Sequence, residues 1–384
     1  MTNRTLGGSR AIFGFVAAMA LLTACTKGGS TATSSAPPTS SAGTSGAGSA
    51  AIASLPAGCD GATPAPTSTS VSFAAGGRVW AFSPDDPTNL HCLFAQADAG
   101  AFSWGPRGDR VILAGLQVKG VGSTATRPAG DFHPTYFTWS RPSGTTIWFT
   151  AGSDTSVFRA DIGGASATEI TPLPNVTYGD MAYHPSGLAV GFVGTDARGT
   201  GLWMSTNTGA NPQQLVAAPP GTTFGHIVFA HDGKGLYYSV DKADGTHSLA
   251  RLDLPTGTPA QNLWTGGGPI GGDIVELAGV PGVGLTVGAS CAQHKAVFSA
   301  LDGTAGTPLA SGLSGPTSVV GRLDADRFIV AAGGCGGPAD LYLAHASGEA
   351  PHLLVKAVDN AGVRLPEPVP APPLPQNLPR SGFA

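Results

Sequence analysis

Along most of the chain, apolar residues come in short runs closed by glycine, proline, asparagine or aspartate. Four stretches line up on one another: FSWGPRGDRVILAG from Phe102, FTWSRPSGTTIWFTAG from Phe137, DMAYHPSGLAVGFVG from Asp180 and HIVFAHDGKGLYYSV from His226. Each opens with a short apolar strand that ends in an aromatic residue, Trp104, Trp139, Tyr183 or Phe229. A glycine follows four or five residues later (Gly108, Gly144, Gly187, Gly233), and then a second apolar strand. Two apolar strands around such a tip predict a β-hairpin, because glycine tolerates positive φ. Arg107-Gly108-Asp109 occupies one of these tips, so it reads as a turn and not as an adhesion signal.

A second half-motif follows the hairpins: LWMSTNTGANPQQL from Leu202, LARLDLPTGTPAQNL from Leu249, VFSALDGTAGTPL from Val297 and LYLAHASGEAPHLL from Leu341. VFRADIGGASATEI from Val157 is a looser copy. Each predicts an alternating strand, a turn and another short strand. Hairpin and half-motif together give four strands per unit, with the aromatic anchors 35 to 46 residues apart. A four-stranded unit at that period cannot bury both faces alone, so neighbours must pack around an axis. The expected fold class is all-β, a single β-propeller of four-stranded blades.

The pattern aromatic-Ser-x-x-Gly, strand, then Leu-Tyr/Trp and Gly-x-x-Pro-x-x-Leu resembles the blade repeat of TolB-type propellers. It is also similar to the propeller halves of prolyl-oligopeptidase-type peptidases. The resemblance covers about residues 71–355 and departs from the pattern at Glu276–Gly282, where the hairpin shrinks to ELAGVPG, and in the short blade from Phe102. SVSFAAGGRVWAFSPDDPTNLHCLF, from Ser70, supplies three strands of a further blade. A strand from the tail after Val355 would complete it and close a ring of seven blades; six is the alternative.

The ends place the protein. Arg4 and Arg10 precede the apolar run Ala11–Ala24, which is too short to span a bilayer but suits an export signal. Leu22-Thr23-Ala24-Cys25 resembles the bacterial lipoprotein signal, which implies lipidation of Cys25. Residues 1–24 are then the signal, and 25–57 the lipidated cysteine and a flexible tether whose only charge is Lys27. The propeller occupies 58–365, and 366–384 form a Pro-rich tail. Removing the signal takes away two arginines and no acid, so the net charge moves from −4 to −6. Such a balance lacks the basic footprint of a nucleic-acid binder. Four cysteines remain beyond Cys25, an even number in an exported protein. Cys291 and Cys335 each follow the second strand of their unit, one repeat length apart, and corresponding loops of adjacent blades are neighbours. A Cys291–Cys335 bridge is therefore expected, leaving Cys59–Cys92 as the other pair.

Candidate chemistry is sparse. Gly179-Asp180-Met181, Gly225-His226-Ile227 and Gly272-Asp273-Ile274 recur at spacings of 46 and 47. They put Asp180, His226 and Asp273 at the channel mouth as a candidate ligand-binding set. The competing interpretation is that each side chain caps the turn where its own strand begins. Asp196, Arg198, Asp241, Asp244, His247, His294 and Lys295 belong to loops of the same face. No Gly-x-Ser-x-Gly nucleophile elbow occurs. SRPSGTTIW carries Pro142 where a sialidase box has its acid, and DKADGTHS lacks calcium-loop spacing. No catalytic residue, metal or cofactor is assigned. His91, His133, His184, His231, His345 and His352 share no spacing and read as surface or hydrogen-bonded histidines. The expected function is a membrane-anchored, extracytoplasmic binding module for an envelope protein or glycan. The alternative is a metal-dependent lactonase- or lyase-like enzyme using Asp180, His226 and Asp273.

Overall fold

The computed structural model describes residues 69–95, 102–113, 116–120, 126–128, 134–151, 153–162, 166–254 and 258–365, with 52, 55–56 and 58–59. The expected signal, Cys25, most of the tether and the Pro-rich tail lie outside the described residues.

Those residues form seven four-stranded antiparallel sheets. Blade 1 is built, from the axis outwards, of β28 (Asn360–Arg364), β1 (Ser70–Ala75), β2 (Arg78–Ser83) and β3 (Asp86–Ala95). Blade 2 runs β4 (Phe102–Trp104), β5 (Arg110–Leu113), β6 (Gln117–Gly120), β7 (Thr126–Pro128), and blade 3 runs β8 (Phe137–Trp139), β9 (Thr146–Ala151), β10 (Ser156–Asp161), β11 (Ala167–Glu169). Blade 4 has β12 (Thr177–Tyr183), β13 (Ala189–Asp196), β14 (Gly199–Thr206) and β15 (Gln213–Ala217). Blade 5 has β16 (Thr222–Phe229), β17 (Gly235–Lys242), β18 (His247–Asp253) and β19 (Thr258–Gly266). β20 (Val275–Leu277), β21 (Val280–Val287), β22 (Lys295–Ser299) and β23 (Thr307–Pro308) make blade 6. β24 (Thr317–Arg322), β25 (Arg327–Gly333), β26 (Ala339–His345) and β27 (His352–Val358) make blade 7.

Seven blades stand, and the tail closes the ring as expected. β28 pairs antiparallel with β1 from Ser70↔Arg364 to Ala74↔Asn360. The hairpin that looked degenerate in the sequence survives: Leu277 pairs with Val280 across Ala278 and Gly279, with Gly279 at φ +69°.

The core is not central. It lies in seven apolar layers, each shared by two adjacent blades. Phe229 and Leu236 of blade 5, for example, are buried with Leu202 and Met204 of blade 4. Second strands such as β13 are covered on both faces and are accordingly apolar without interruption from Ala189 to Val193.

The aromatic anchors of the repeat are each the last residue of an innermost strand: Trp104, Trp139, Tyr183 and Phe229. The glycines after them all take left-handed φ, at +63°, +60°, +76° and +70°. Gly187 is held twice over, because a Cβ there would stand 2.0 Å from the Arg141 carbonyl oxygen of blade 3. Gly187→Ala is expected to cost about 2 kcal/mol or more, from left-handed strain plus that clash. Urea unfolding checks this; an unchanged midpoint would show that the blade 4 turn can yield. Gly108 is buried, and a Cβ there would meet Nε of Arg364 at 2.5 Å. The Arg-Gly-Asp tip is thus packed under the closing strand, as a turn.

In blades 7 and 1 the last residue of the innermost strand is an arginine. Arg322 is fully buried against the rings of Phe298 and Phe328, at 5.6 and 5.1 Å from their centroids. It donates to four carbonyls: Nε to Asp324 (2.9 Å), Nη1 to Gly282 (2.6 Å), and Nη2 to Pro281 (3.0 Å) and Ala325 (2.9 Å). Two of those carbonyls belong to blade 6, so one side chain ties two blades. Arg364 lies over the Trp104 ring at 5.5 Å.

Both expected disulfides form. Cys291–Cys335 joins the β21–β22 loop of blade 6 to the β25–β26 loop of blade 7, with Cα atoms 5.7 Å apart. Closing a loop of 44 residues stabilises by about 4 kcal/mol in the chain-entropy account. Cys59–Cys92 pins the N-terminal segment to β3, the outermost strand of blade 1. Upstream, the Ile52 N–H donates to the Leu354 carbonyl at 2.8 Å, and Ile52 bridges Val355 in parallel on β27, the outermost strand of blade 7. The segment therefore crosses the outside of the seam that β28 closes from within.

Candidate functional site at the channel mouth

Asp180 and His226 owe their positions to backbone irregularities. On β12 the pairing with β13 jumps between Tyr178 and Met181, leaving Gly179 and Asp180 unpaired. On β16 it jumps between Gly225 and Ile227, leaving His226 unpaired. Bulges of this kind re-aim a side chain. The glycine before each polar residue lets the innermost strand approach the second one closely. A Cβ on Gly179 would meet Val193 at 3.2 Å, one on Gly225 would meet Ser239 Oγ at 2.9 Å, and one on Gly272 would meet Thr286 at 3.2 Å.

Two of the three residues meet side chain to side chain. His226 Nδ1 lies 3.9 Å from Asp180 Oδ2, with about a third and a quarter of the two side chains exposed. Enclosure by the surrounding blades pushes the Asp180 carboxyl above the usual carboxylate range. His226 and two backbone N–H groups oppose that rise, while the Asp273 charge adds to it. Asp273 is raised by the same enclosure, with His226 again opposing. Asp273 nonetheless stays exposed to solvent. Burial lowers the pKa of His294, and the charge of His226 lowers it further.

Asp180 also does structural work, beyond the strand-capping role the sequence suggested. Its Oδ1 accepts the Met181 N–H of its own strand at 2.8 Å, and Oδ2 accepts the Ile227 N–H of blade 5 at 3.0 Å. One carboxylate therefore staples two blades. Among the described residues no group of three His, Cys, Asp or Glu side chains is placed to hold a metal ion.

The other charged loop residues are occupied locally. Arg198 pairs with Asp196 (2.6 Å), His247 with Asp241 (2.7 Å), the Thr246 N–H with Asp244 (2.8 Å), and Lys295 with the Gly315 carbonyl (2.8 Å). The opposite ends of the innermost strands carry polar groups with no spacing in the sequence. His184 is fully buried: its Nε2–H donates to the Gly233 carbonyl of blade 5 at 2.9 Å, and Nδ1 accepts the Ser186 N–H at 3.1 Å. Burial lowers its pKa, so it stays neutral. Glu276 of blade 6 accepts the His231 N–H of blade 5 at 2.9 Å. These are stitches between blades, invisible to motif reading because each uses a different side chain.

No family model matches the chain. No curated protein sequence matches it either. Solved structures match in shape. A dihydro-heme d1 dehydrogenase, NirN, is similar at TM-score 0.51 and 12% identity, over 82% of this chain and 78% of that one. An oligogalacturonate lyase solved in complex with manganese is similar at 0.50 and 12%, over 70% and 82%. A putative TolB from Agrobacterium tumefaciens is similar at 0.45 and 11%, over 79% and 100%. The fold and site define a seven-bladed β-propeller with a polar channel mouth.

Proposed function

We propose that the chain is an extracytoplasmic, lipid-anchored propeller whose channel mouth binds an envelope partner carrying a basic group. One observation carries this reading. Asp180, His226 and Asp273 arrive from three consecutive blades, and Asp273, raised by enclosure, remains open to water. A partner cation there would offset the enclosure that disfavours both carboxylates in their charged form. The two disulfides fit an oxidising compartment. Among the described residues no helix is long and apolar enough to cross a membrane, and attachment rests on the lipidation expected at Cys25. The metal-dependent lactonase or lyase reading is weaker, because Asp180 already holds two backbone N–H groups.

The test leaves Asp180 intact, since it joins two blades. Wild type and an Asp273→Asn/His226→Gln variant are each cross-linked to envelope extract, and the captured proteins are identified by mass spectrometry. A protein retained by the wild type and lost by the variant at unchanged melting temperature is the expected result. Equal capture by both chains would sink the reading.

A further inference from the structure

The geometry points to a second binding site, a cleft for a single uncharged sugar ring on the rim of blade 4. Its volume is about 190 Å³, below the ~300 Å³ at which pockets for drug-sized ligands begin. Gly194 on β13 lines the cleft, and its cross-strand partner on β14, Gly201, lies beneath two of the lining side chains, Trp203 and Gln214. A Cβ on Gly201 would stand 2.5 Å from Gln214 Nε2 and 3.0 Å from Trp203 Nε1. A Cβ on Gly194 would meet the same indole edge at 3.2 Å. Two bare Cα positions thus let an indole N–H and an amide NH₂ come together over the backbone.

Both donors are unspent. Gln214 is exposed and Trp203 half-buried, and neither has a hydrogen-bond partner among the described residues. Across the cleft, Asp196 Oδ2 accepts Nε and Nη2 of Arg198 at 3.0 and 2.6 Å, which fixes the guanidinium and cancels its charge. Val176 and Ala217 supply an apolar wall. Spare donors, a fixed acceptor, an apolar side and no net charge match the amphipathic surface of a pyranose or furanose, and match an inorganic ion poorly. The inference is independent of the channel mouth.

The test uses the full-length chain with ¹⁵N-labelled tryptophan, whose Trp203 indole signal is assigned by its loss in Trp203→Phe. Methyl glycosides of glucose, galactose, arabinose and N-acetylglucosamine are titrated to millimolar concentration. A saturable shift of the Trp203 signal with at least one sugar is expected. Gln214→Ala, at an exposed position, should weaken it about tenfold, the equivalent of one hydrogen bond. Gly201→Ala, whose added Cβ would push Gln214 and Trp203 out of place, should abolish it, and Asp273→Asn should leave it unchanged. If no glycoside moves the signal, or if Gln214→Ala binds as wild type does, the cleft is not a sugar site.

Discussion

The Arg322→Ala chain is expected to lose about 4 kcal/mol of folding stability, seen as a lower urea midpoint at unchanged slope. The loss has two sources. The buried Gly282 carbonyl would be left without this donor, and the part-buried carbonyls of Asp324, Pro281 and Ala325 would lose theirs. The space that the guanidinium fills beside Phe298 and Phe328 would also empty. Burial pulls the arginine's own pKa down while Asp324 and Glu276 pull it back, so the charge is kept at a cost that its hydrogen bonds offset. Arg322→Lys should recover little, because an ammonium cannot reach carbonyls on both sides of a planar fork or stack flat against a ring. A midpoint within error of wild type for the alanine chain would mean that the two blades are held by their apolar layer alone.

A chain ending at Asp359 is expected to show no cooperative unfolding transition, while one ending at Leu365 keeps it. The first lacks β28. Without it β1 becomes an edge strand whose N–H and C=O groups face an open seam. Ala361 and Val363 would be missing from the layer between blades 7 and 1, and Phe102 and Trp104 would lose the backbone that approaches them at Gly362. Circular dichroism during heating, with a hydrophobic dye as second probe, reads the outcome. A sharp transition in the shorter chain would show that the ring closes without its last strand.

The repeat was legible where the anchor is aromatic. Trp104, Trp139, Tyr183 and Phe229 mark the ends of innermost strands, and the glycine after each marks a left-handed turn. It faded in blades 7 and 1 because Arg322 and Arg364 fill the same place. A guanidinium plane stacks on rings as an aromatic would, yet looks like a surface charge in a sequence. Blade 6 faded because its hairpin tip is reduced to Ala278 and Gly279. The cysteine pairing followed from repeat length, since equal offsets in neighbouring blades bring loops together. The spacing of Asp180, His226 and Asp273 picked out matching positions in three consecutive blades, but could not reveal that Asp180 reaches the Ile227 N–H of the next blade. That contact depends on two bulges, and bulges leave no signature in residue spacing. The donor pair at Trp203 and Gln214 was equally hidden, because it is created by what Gly194 and Gly201 lack.

The way the N-terminal segment crosses the seam has a mechanical consequence. A pull on the chain from the side of residue 52 first strips one backbone hydrogen bond from β27, and then meets the covalent link between Cys59 and Cys92. Tension is delivered to β3 at the circumference of blade 1 and not to β28 beside the axis. The strand that completes the ring is thereby shielded from force. A propeller tugged by its leash would be dragged whole before it could be unzipped.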